Sequence, residues 1–167
     1  MTQPNPVNVL CSQIAAGEYL AIRDLMNSGV DLNMQGSMGQ TPLMVAANEG
    51  LTDIVSQLIE NGAVVNASGE MGLTPLHEAA SNGHAVTVLQ LIQFGASVNA
   101  ASVDGVTPLM CAAAWGHVEA AKVLIEHGAD LRLADRSGAT AFDIAGEKGE
   151  GRVAEILKAA DARMRRQ

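Results

Sequence analysis

A strict 33-residue interval constrains what this chain of 167 residues can fold into more than any other feature. Three sets of glycine keep this interval without an insertion. They are Gly39, Gly72, Gly105 and Gly138; Gly17, Gly50, Gly83, Gly116 and Gly149; and Gly29, Gly62, Gly95 and Gly128. Thr41, Thr74, Thr107 and Thr140 follow the same spacing. A fixed period of this length indicates a stack of repeated units, each of which buries its apolar face against its neighbours.

Each period predicts two short helices. The first three repeated threonines are each followed by proline, and threonine is a favoured N-cap while proline is tolerated at the first helical position. The pattern predicts a first helix over about residues 43–49 and a second over about 52–61, with Val55, Leu58 and Ile59 on one face. Glycine is expected to end both helices in the left-handed conformation. Helices this short are unstable alone, so neighbouring pairs must stack.

Several segments carry a resemblance to a known repeat. Thr74-Pro-Leu-His77, Ala79-Ala80, Gly83-His84 and the stretch from Gly95 to Ala100 resemble the ankyrin repeat. The resemblance covers nearly the whole chain. It implies an all-α ankyrin-repeat solenoid of helix-turn-helix units with projecting β-turn or hairpin loops.

The resemblance also divides the single domain of residues 1–167 into five units. These are an amino-terminal cap (5–34), three repeats (36–67, 69–100 and 102–134) and a carboxy-terminal cap (135–165). The first unit lacks the Thr-Pro pair and has Asn8-Val9 there. The last unit places Lys158 where the other units carry Met or Ile. A polar outer face is what a terminal cap needs.

The distribution of charge limits the class of partner. The net charge is −8, and from Met1 to Ala121 ten acidic residues face a single basic one, Arg23. An acidic body argues against nucleic acid or an anionic membrane as the partner, because both bind clustered Lys and Arg. A protein with a basic or apolar patch is the expected partner. Solubility alone is the other explanation of the acidity.

The two cysteines and the amino terminus bear on the compartment. Cys11 and Cys111 are too few for a disulfide scaffold and lie in no metal-ligand spacing, so we expect free, buried thiols in a reducing compartment. The amino terminus has neither the basic region nor the apolar run of a signal peptide. No stretch approaches the 18 apolar residues that indicate a membrane span. We therefore expect a cytoplasmic protein that is monomeric when free.

No motif has catalytic or metal-binding spacing. His77-Glu78 would need a second His at position 81 to bind zinc, and that residue is Ser81. The resemblance implies instead that His77 is structural and forms hydrogen bonds around the turn. We predict no catalytic, metal-binding or cofactor-binding residue, and therefore no enzyme. An enzyme or small-ligand protein would need a polar pocket, which a single-layer stack does not readily enclose.

The resemblance implies a protein–protein interaction module whose concave surface is lined by turn tips and by the exposed side of the first helices. Carried over residue by residue, the predicted binding residues are Met38, Gln40, Asn48, Glu49, Glu70, Met71, Leu73, Ser81, Asn82, Val103, Asp104, Val106, Ala114 and Trp115. The apolar members, expected to form an exposed stripe, are Met38, Met71, Leu73, Val103, Val106 and Trp115, and the acidic rim is Glu49, Glu70 and Asp104.

Two alternatives about this surface stay open. An exposed apolar stripe marks an interaction surface, but neighbouring tips could instead bury some of these side chains against each other. The role of the module is equally open from the residues. An adaptor that recruits a partner and an inhibitor or regulatory subunit that covers a partner enzyme's active site have the same sequence pattern.

Overall fold

The computed structural model describes residues 5–166. Met1–Pro4, part of the segment in which no secretory signal is predicted, and Gln167 lie outside the described residues, as does the side chain of Met38. Within 5–166 there are ten α-helices and one 3-10 turn, Ser37–Gly39. The helices are α1 (Pro6–Ala16), α2 (Tyr19–Asn27), α3 (Pro42–Asn48), α4 (Thr52–Glu60), α5 (Pro75–Ser81), α6 (Ala85–Gln93), α7 (Pro108–Ala114), α8 (Val118–Glu126), α9 (Ala141–Lys148) and α10 (Gly151–Met164).

The helices pack as two rows. The first helices of the units, α1, α3, α5, α7 and α9, each contact the next in order, and α4, α6, α8 and α10 do the same in the second row. Between residues 5 and 166 no strand forms, and the only β-pairing is an isolated bridge between Ala134 and Thr140. The predicted all-α solenoid is therefore confirmed. The unit boundaries stay a prediction. None of the described helices is both long enough and apolar enough to cross a bilayer.

The repeated threonines begin the first helices, as predicted. Thr41 Oγ1 accepts from Met44 N at 3.3 Å, and Thr107 Oγ1 accepts from Met110 N at 3.4 Å. The helix α3 runs from Pro42 to Asn48, so proline holds the first helical position, as expected of a residue whose ring already fixes a helical φ. Both ends lie one residue before those of the approximate range given above. The predicted glycine ends are confirmed: Gly50 and Gly62 have φ of +69° and +97°.

The first helix starts outside the 33-residue register of the other units. It begins at Pro6, before the Asn8-Val9 pair that occupies the Thr-Pro position, and Asn5 caps it by accepting from Val7 N at 3.0 Å. An Asn-Pro pair thus replaces the missing Thr-Pro pair. Asn8 is left free for a second role, and its Oδ1 accepts from Ser37 N in the next unit at 2.7 Å.

Three asparagines at the 33-residue interval form a ladder between units. The side-chain amides of Asn33, Asn66 and Asn99 donate to the carbonyls of Gly62, Gly95 and Gly128 at 3.0, 3.0 and 3.1 Å. Their Oδ1 atoms accept from the backbone of Val64, Ser97 and Asp130 at 2.7, 2.8 and 2.8 Å. Arg132 holds the next position, and the ladder ends at the last unit.

His84 and His117 also join neighbouring units. His84 Nε2 donates to the Asn48 carbonyl and His117 Nε2 to the Ser81 carbonyl, both at 2.9 Å. The ring of His84 lies so close to Gly50 that a Cβ there would come within 2.6 Å of Nδ1. Gly50 is therefore required both for its left-handed backbone and for this close approach.

His77 is buried between two units. Its Nδ1 accepts from Thr74 N at 3.1 Å, so the ring proton sits on Nε2, which donates to the Val106 carbonyl at 3.0 Å. Protonation of Nδ1 would remove the acceptor that Thr74 uses. Burial accordingly lowers the pKa of His77.

We expect His77→Met to flatten the acid side of the pH–stability profile. Because the folded pKa lies below the unfolded value of 6.5, the stability that neutral His77 contributes is full above about pH 6.5 and is lost as the pH falls below it. Methionine is the residue at the same position in two other units, where Met44 and Met110 accept from Thr41 N and Thr107 N. Urea unfolding at about pH 7.5 and pH 5.5 measures the difference. Identical pH slopes for both proteins would contradict this role of His77.

The two cysteines are expected to stay reduced. Cys111 is buried, as predicted, but Cys11 is only half-buried; burial raises the pKa of the Cys11 thiol to about 11 and also raises that of Cys111. The helices α3 and α5 separate α1 from α7. The Cα atoms of the two cysteines therefore lie farther apart than the ~7 Å that a disulfide can bridge. Reductant should leave the melting temperature unchanged. A Cys11–Cys111 bond in non-reducing mass analysis would refute this.

Candidate protein-binding surface

The predicted binding residues at the ends of the first helices form what we call the helix-end row: Asn48, Glu49, Ser81, Asn82, Ala114 and Trp115. Glu49, Asn82 and Trp115 are the C-cap residues of α3, α5 and α7. A C-cap residue is only half within the helix. All three of these are exposed, whereas Ser81 and Ala114, one residue earlier, are half-buried.

Polar side chains connect two units of the helix-end row. Asn82 Nδ2 donates to Asn48 Oδ1 at 2.8 Å, and Asn48 Nδ2 donates to Glu49 Oε1 at 3.0 Å. Asn82 Nδ2 also donates to the Glu78 carbonyl at 3.0 Å. Side chains held by such a network lose less freedom when a partner binds, so this part of the row is pre-organised.

Trp115 is the only tryptophan of the chain, and its side chain in the helix-end row is 68% exposed. Together with Ser81, Asn82 and His117 it lines one depression of the surface. An exposed indole of this size contributes little to the core. The indole is therefore available to contact another molecule.

The predicted residues in the turns form a second set, the tip row: Gln40, Glu70, Met71, Leu73, Val103, Asp104 and Val106. Successive tips are hydrogen-bonded, since Val103 N donates to the Met71 carbonyl at 3.0 Å and Arg136 N donates to the Asp104 carbonyl at 2.8 Å. Met71 and Val103 are 58% and 54% exposed. The tips thus form a continuous edge that carries apolar side chains in solvent.

The exposed apolar stripe is narrower than the sequence pattern suggests. Leu73 and Val106 are half-buried, and Val106 packs against the core. Gln40 is also half-buried. Leu73 and Val106 are therefore not part of an exposed stripe. Among the residues whose side chains are described, the exposed apolar members are Met71, Val103 and Trp115.

Arg136 changes the charge of the tip row. Its guanidinium pairs with Asp104 at 3.0 Å and donates to the Val103 carbonyl at 3.0 Å. Both partners of the pair are largely exposed, so it adds little stability, but it offsets one charge of the predicted acidic rim. Glu49 and Glu70 remain. Arg136 follows Val103 at the 33-residue interval, and this spacing is the signal that could have found it.

Glu78 is a residue that sequence reasoning missed. It lies on α5, half-buried, at the position that Val45 holds in α3 and Cys111 in α7. Burial raises the pKa of its carboxyl. Because the folded pKa is the higher one, folding is favoured by the protonated form, and this part of the stability is lost as the pH rises through the raised pKa. The signal was a single acid in an otherwise uncharged column.

The helix-end row and the tip row offer apolar and acidic groups to a partner. Between residues 5 and 166 no three His, Cys, Asp or Glu side chains lie in an arrangement that could hold a metal ion. What the two rows can supply is a tryptophan, two exposed apolar tips and carboxylates. These are groups that contact another protein.

Comparison with known proteins agrees with the repeat architecture. No curated protein matches the chain. The family model described as ankyrin repeats (3 copies) matches residues 10–102 and 86–167. Ankyrin repeats are generally protein–protein interaction modules, and the family is typically without enzymatic activity. With matches that together cover residues 10 to 167, the chain belongs to the ankyrin-repeat family.

Proposed function

We propose that this protein is an adaptor without enzymatic activity that binds a partner protein through the concave surface formed by the helix-end row and the tip row. The exposure of Trp115, the single tryptophan, carries the proposal. Tryptophan is enriched among the residues that dominate binding energy. Met71 and Val103 add exposed apolar area on the tips.

Charge supports a protein partner with a basic or apolar patch. Glu49 and Glu70 are exposed, and the chain up to Ala121 carries ten acidic residues against one basic residue. Such a surface repels the phosphates of nucleic acids and of anionic lipids. We propose no nucleic-acid and no membrane partner. The free protein is proposed to be monomeric and cytoplasmic.

Affinity capture with three full-length baits tests the proposed face. The baits are wild type, the double variant Met71→Lys with Val103→Lys, and the control Val86→Lys. Val86 is a 72% exposed apolar residue on α6, in the other row of helices. A lysine on each tip would meet a basic patch with a like charge, or an apolar patch with a charge that cannot be solvated there, so the double variant should abolish capture. The control should capture the same partner as wild type. Equal capture by all three baits would refute the face.

The captured partner also distinguishes an adaptor from an inhibitor. If the partner is an enzyme, its activity is measured with and without an excess of this protein. An adaptor leaves the activity unchanged. A regulatory subunit that covers the active site abolishes the activity, and that result would replace the adaptor role while keeping the binding face.

A further inference from the structure

We propose that Glu78 determines specificity, its carboxylate binding a Lys or Arg side chain of a partner segment whose apolar residue contacts Trp115. This inference rests on the proposed function of the concave surface and names the chemistry that the surface selects. The occupant is a basic segment of another protein.

The carboxylate of Glu78 lies in a row of uncharged side chains. Val45 and Cys111, at the equivalent positions of α3 and α7, are only 8% and 9% exposed. Ile144 continues the column on α9 and is half-buried. Glu78 is thus the one acid among the equivalent positions of α3, α5, α7 and α9, which otherwise carry buried or half-buried uncharged side chains. Burial raises the pKa of its carboxyl.

No cationic side chain of the described residues pairs with this charge. Within residues 5–166 the ion pairs are Lys122–Glu119, Arg136–Asp104 and Arg165–Asp161, and none involves Glu78. The neighbouring polar side chains are directed elsewhere. Ser81 contacts the Cys111 thiol, and Asn82 bonds to Asn48 and to a backbone carbonyl.

A half-buried carboxylate without a partner discriminates between ligands. A cationic side chain would form charge-assisted hydrogen bonds with Glu78. A neutral or acidic side chain at the same place would complete the desolvation of the carboxylate and leave it unpaired, which is strongly unfavourable. Glu49 of the helix-end row and Glu70 of the tip row are exposed acids, and their charge favours the approach of the same basic segment.

The positions of Glu78 and Trp115 set the spacing of the partner's residues. Cys111 of α7 is the residue equivalent to Glu78 of α5, one helix further along the row, and Trp115 follows Cys111 by four residues. One step between packed helices is roughly 8–10 Å, and the four residues from Cys111 to Trp115 rise about 6 Å. The two sites are therefore about 11 Å apart. An extended segment at ~3.3 Å per residue spans this with a basic and an apolar residue three or four positions apart.

A displayed library of random peptides, about 12 residues long to cover this span, tests the inference with full-length protein. The baits are wild type, Glu78→Gln and the charge-matched control Glu60→Gln, at an exposed residue of α4. Wild type and the control should enrich peptides with Lys or Arg three or four residues from an apolar residue. Glu78→Gln should lose this preference and bind the enriched peptide at least about tenfold more weakly.

A second measurement separates pairing from any effect on folding. The enriched peptide is synthesised with its basic residue changed to Met and titrated against wild type and Glu78→Gln. Pairing predicts that the peptide change weakens binding to wild type about tenfold or more and has little further effect on the variant. The melting temperature of Glu78→Gln at neutral pH should not fall, because the change removes a poorly solvated charge.

The outcomes distinguish this inference from the proposed function. Enriched peptides without a basic preference, or equal binding to wild type and Glu78→Gln, would overturn the role of Glu78 and leave the concave surface standing. If wild type enriches no peptide whose binding is lost in Trp115→Ala, the proposed surface itself is wrong and the role of Glu78 falls with it.

Discussion

Deletion of residues 135–167 is expected to produce a chain that aggregates or loses most of its stability. The segment contains α9 and α10, which pack on α7 and α8. Its removal exposes Leu124 and increases the exposure of Ile125. Val153 and Leu157 of α10 are buried, and each such side chain contributes roughly 1.5–3 kcal/mol. The lost interface is therefore on the order of 5 kcal/mol, a large share of the stability of a small domain. Urea unfolding and light scattering measure the result.

A shorter deletion is the matched control. Removal of residues 163–167 takes away Arg163 and Met164, the exposed end of α10, together with the exposed Arg165 and Arg166. The unfolding free energy should change by less than about 1 kcal/mol, because the removed side chains that the structure describes, those of residues 163–166, are all exposed. If the chain ending at Ala134 stayed monomeric with an unchanged melting temperature, the unit boundaries given above would be wrong.

Trp115→Ala is expected to weaken partner binding by about 2–4 kcal/mol, as truncation of a dominant interface residue does. The stability of the free protein should change by less than about 1 kcal/mol, because the indole is largely exposed. A core tryptophan would instead cost about 3–5 kcal/mol of stability. Urea unfolding and titration with the captured partner, carried out side by side, measure both effects.

Phe94→Ala is the control for the tryptophan variant. Phe94 is also an aromatic C-cap residue, but it ends α6 in the other row of helices and is 38% exposed. Its removal should leave the affinity unchanged. A large stability loss in Trp115→Ala with intact affinity would contradict the proposed surface and leave only the fold.

The parts of the fold that local rules govern could be predicted from the sequence. A Thr-Pro pair specifies a helix start through one cap and one fixed φ, so the first turn of α3 follows from the residues alone. A glycine that must take a positive φ, such as Gly62, marks a helix end equally well. The exposure of Trp115 was also predictable, since the equivalent positions of the two preceding repeats carry the polar residues Glu49 and Asn82.

The features of the structure that depend on contacts between units could not be predicted from the sequence in the same way. The helix α1 starts at Asn5-Pro6 and not at the in-register pair Asn8-Val9. Asparagine can cap a helix at either place, and no local rule ranks one pair above the other. The half-burial of Val106 follows from its packing against the core across the turn. The significance of the Glu78 charge depends on the burial of Val45 and Cys111 at the equivalent positions of the neighbouring helices.

The asparagine ladder determines which units of the stack can unfold locally. Each rung bonds a unit to the one that follows it, over 29 and 31 residues, so a terminal unit can open without disturbing the rungs further in. Opening a central unit requires the rungs on both of its sides to break. Amide hydrogen exchange should therefore be fastest at the two ends and slowest around α5 and α7. The helices that present Glu78 and Trp115 are thus the ones held most rigidly, and a partner that binds there meets an already ordered surface.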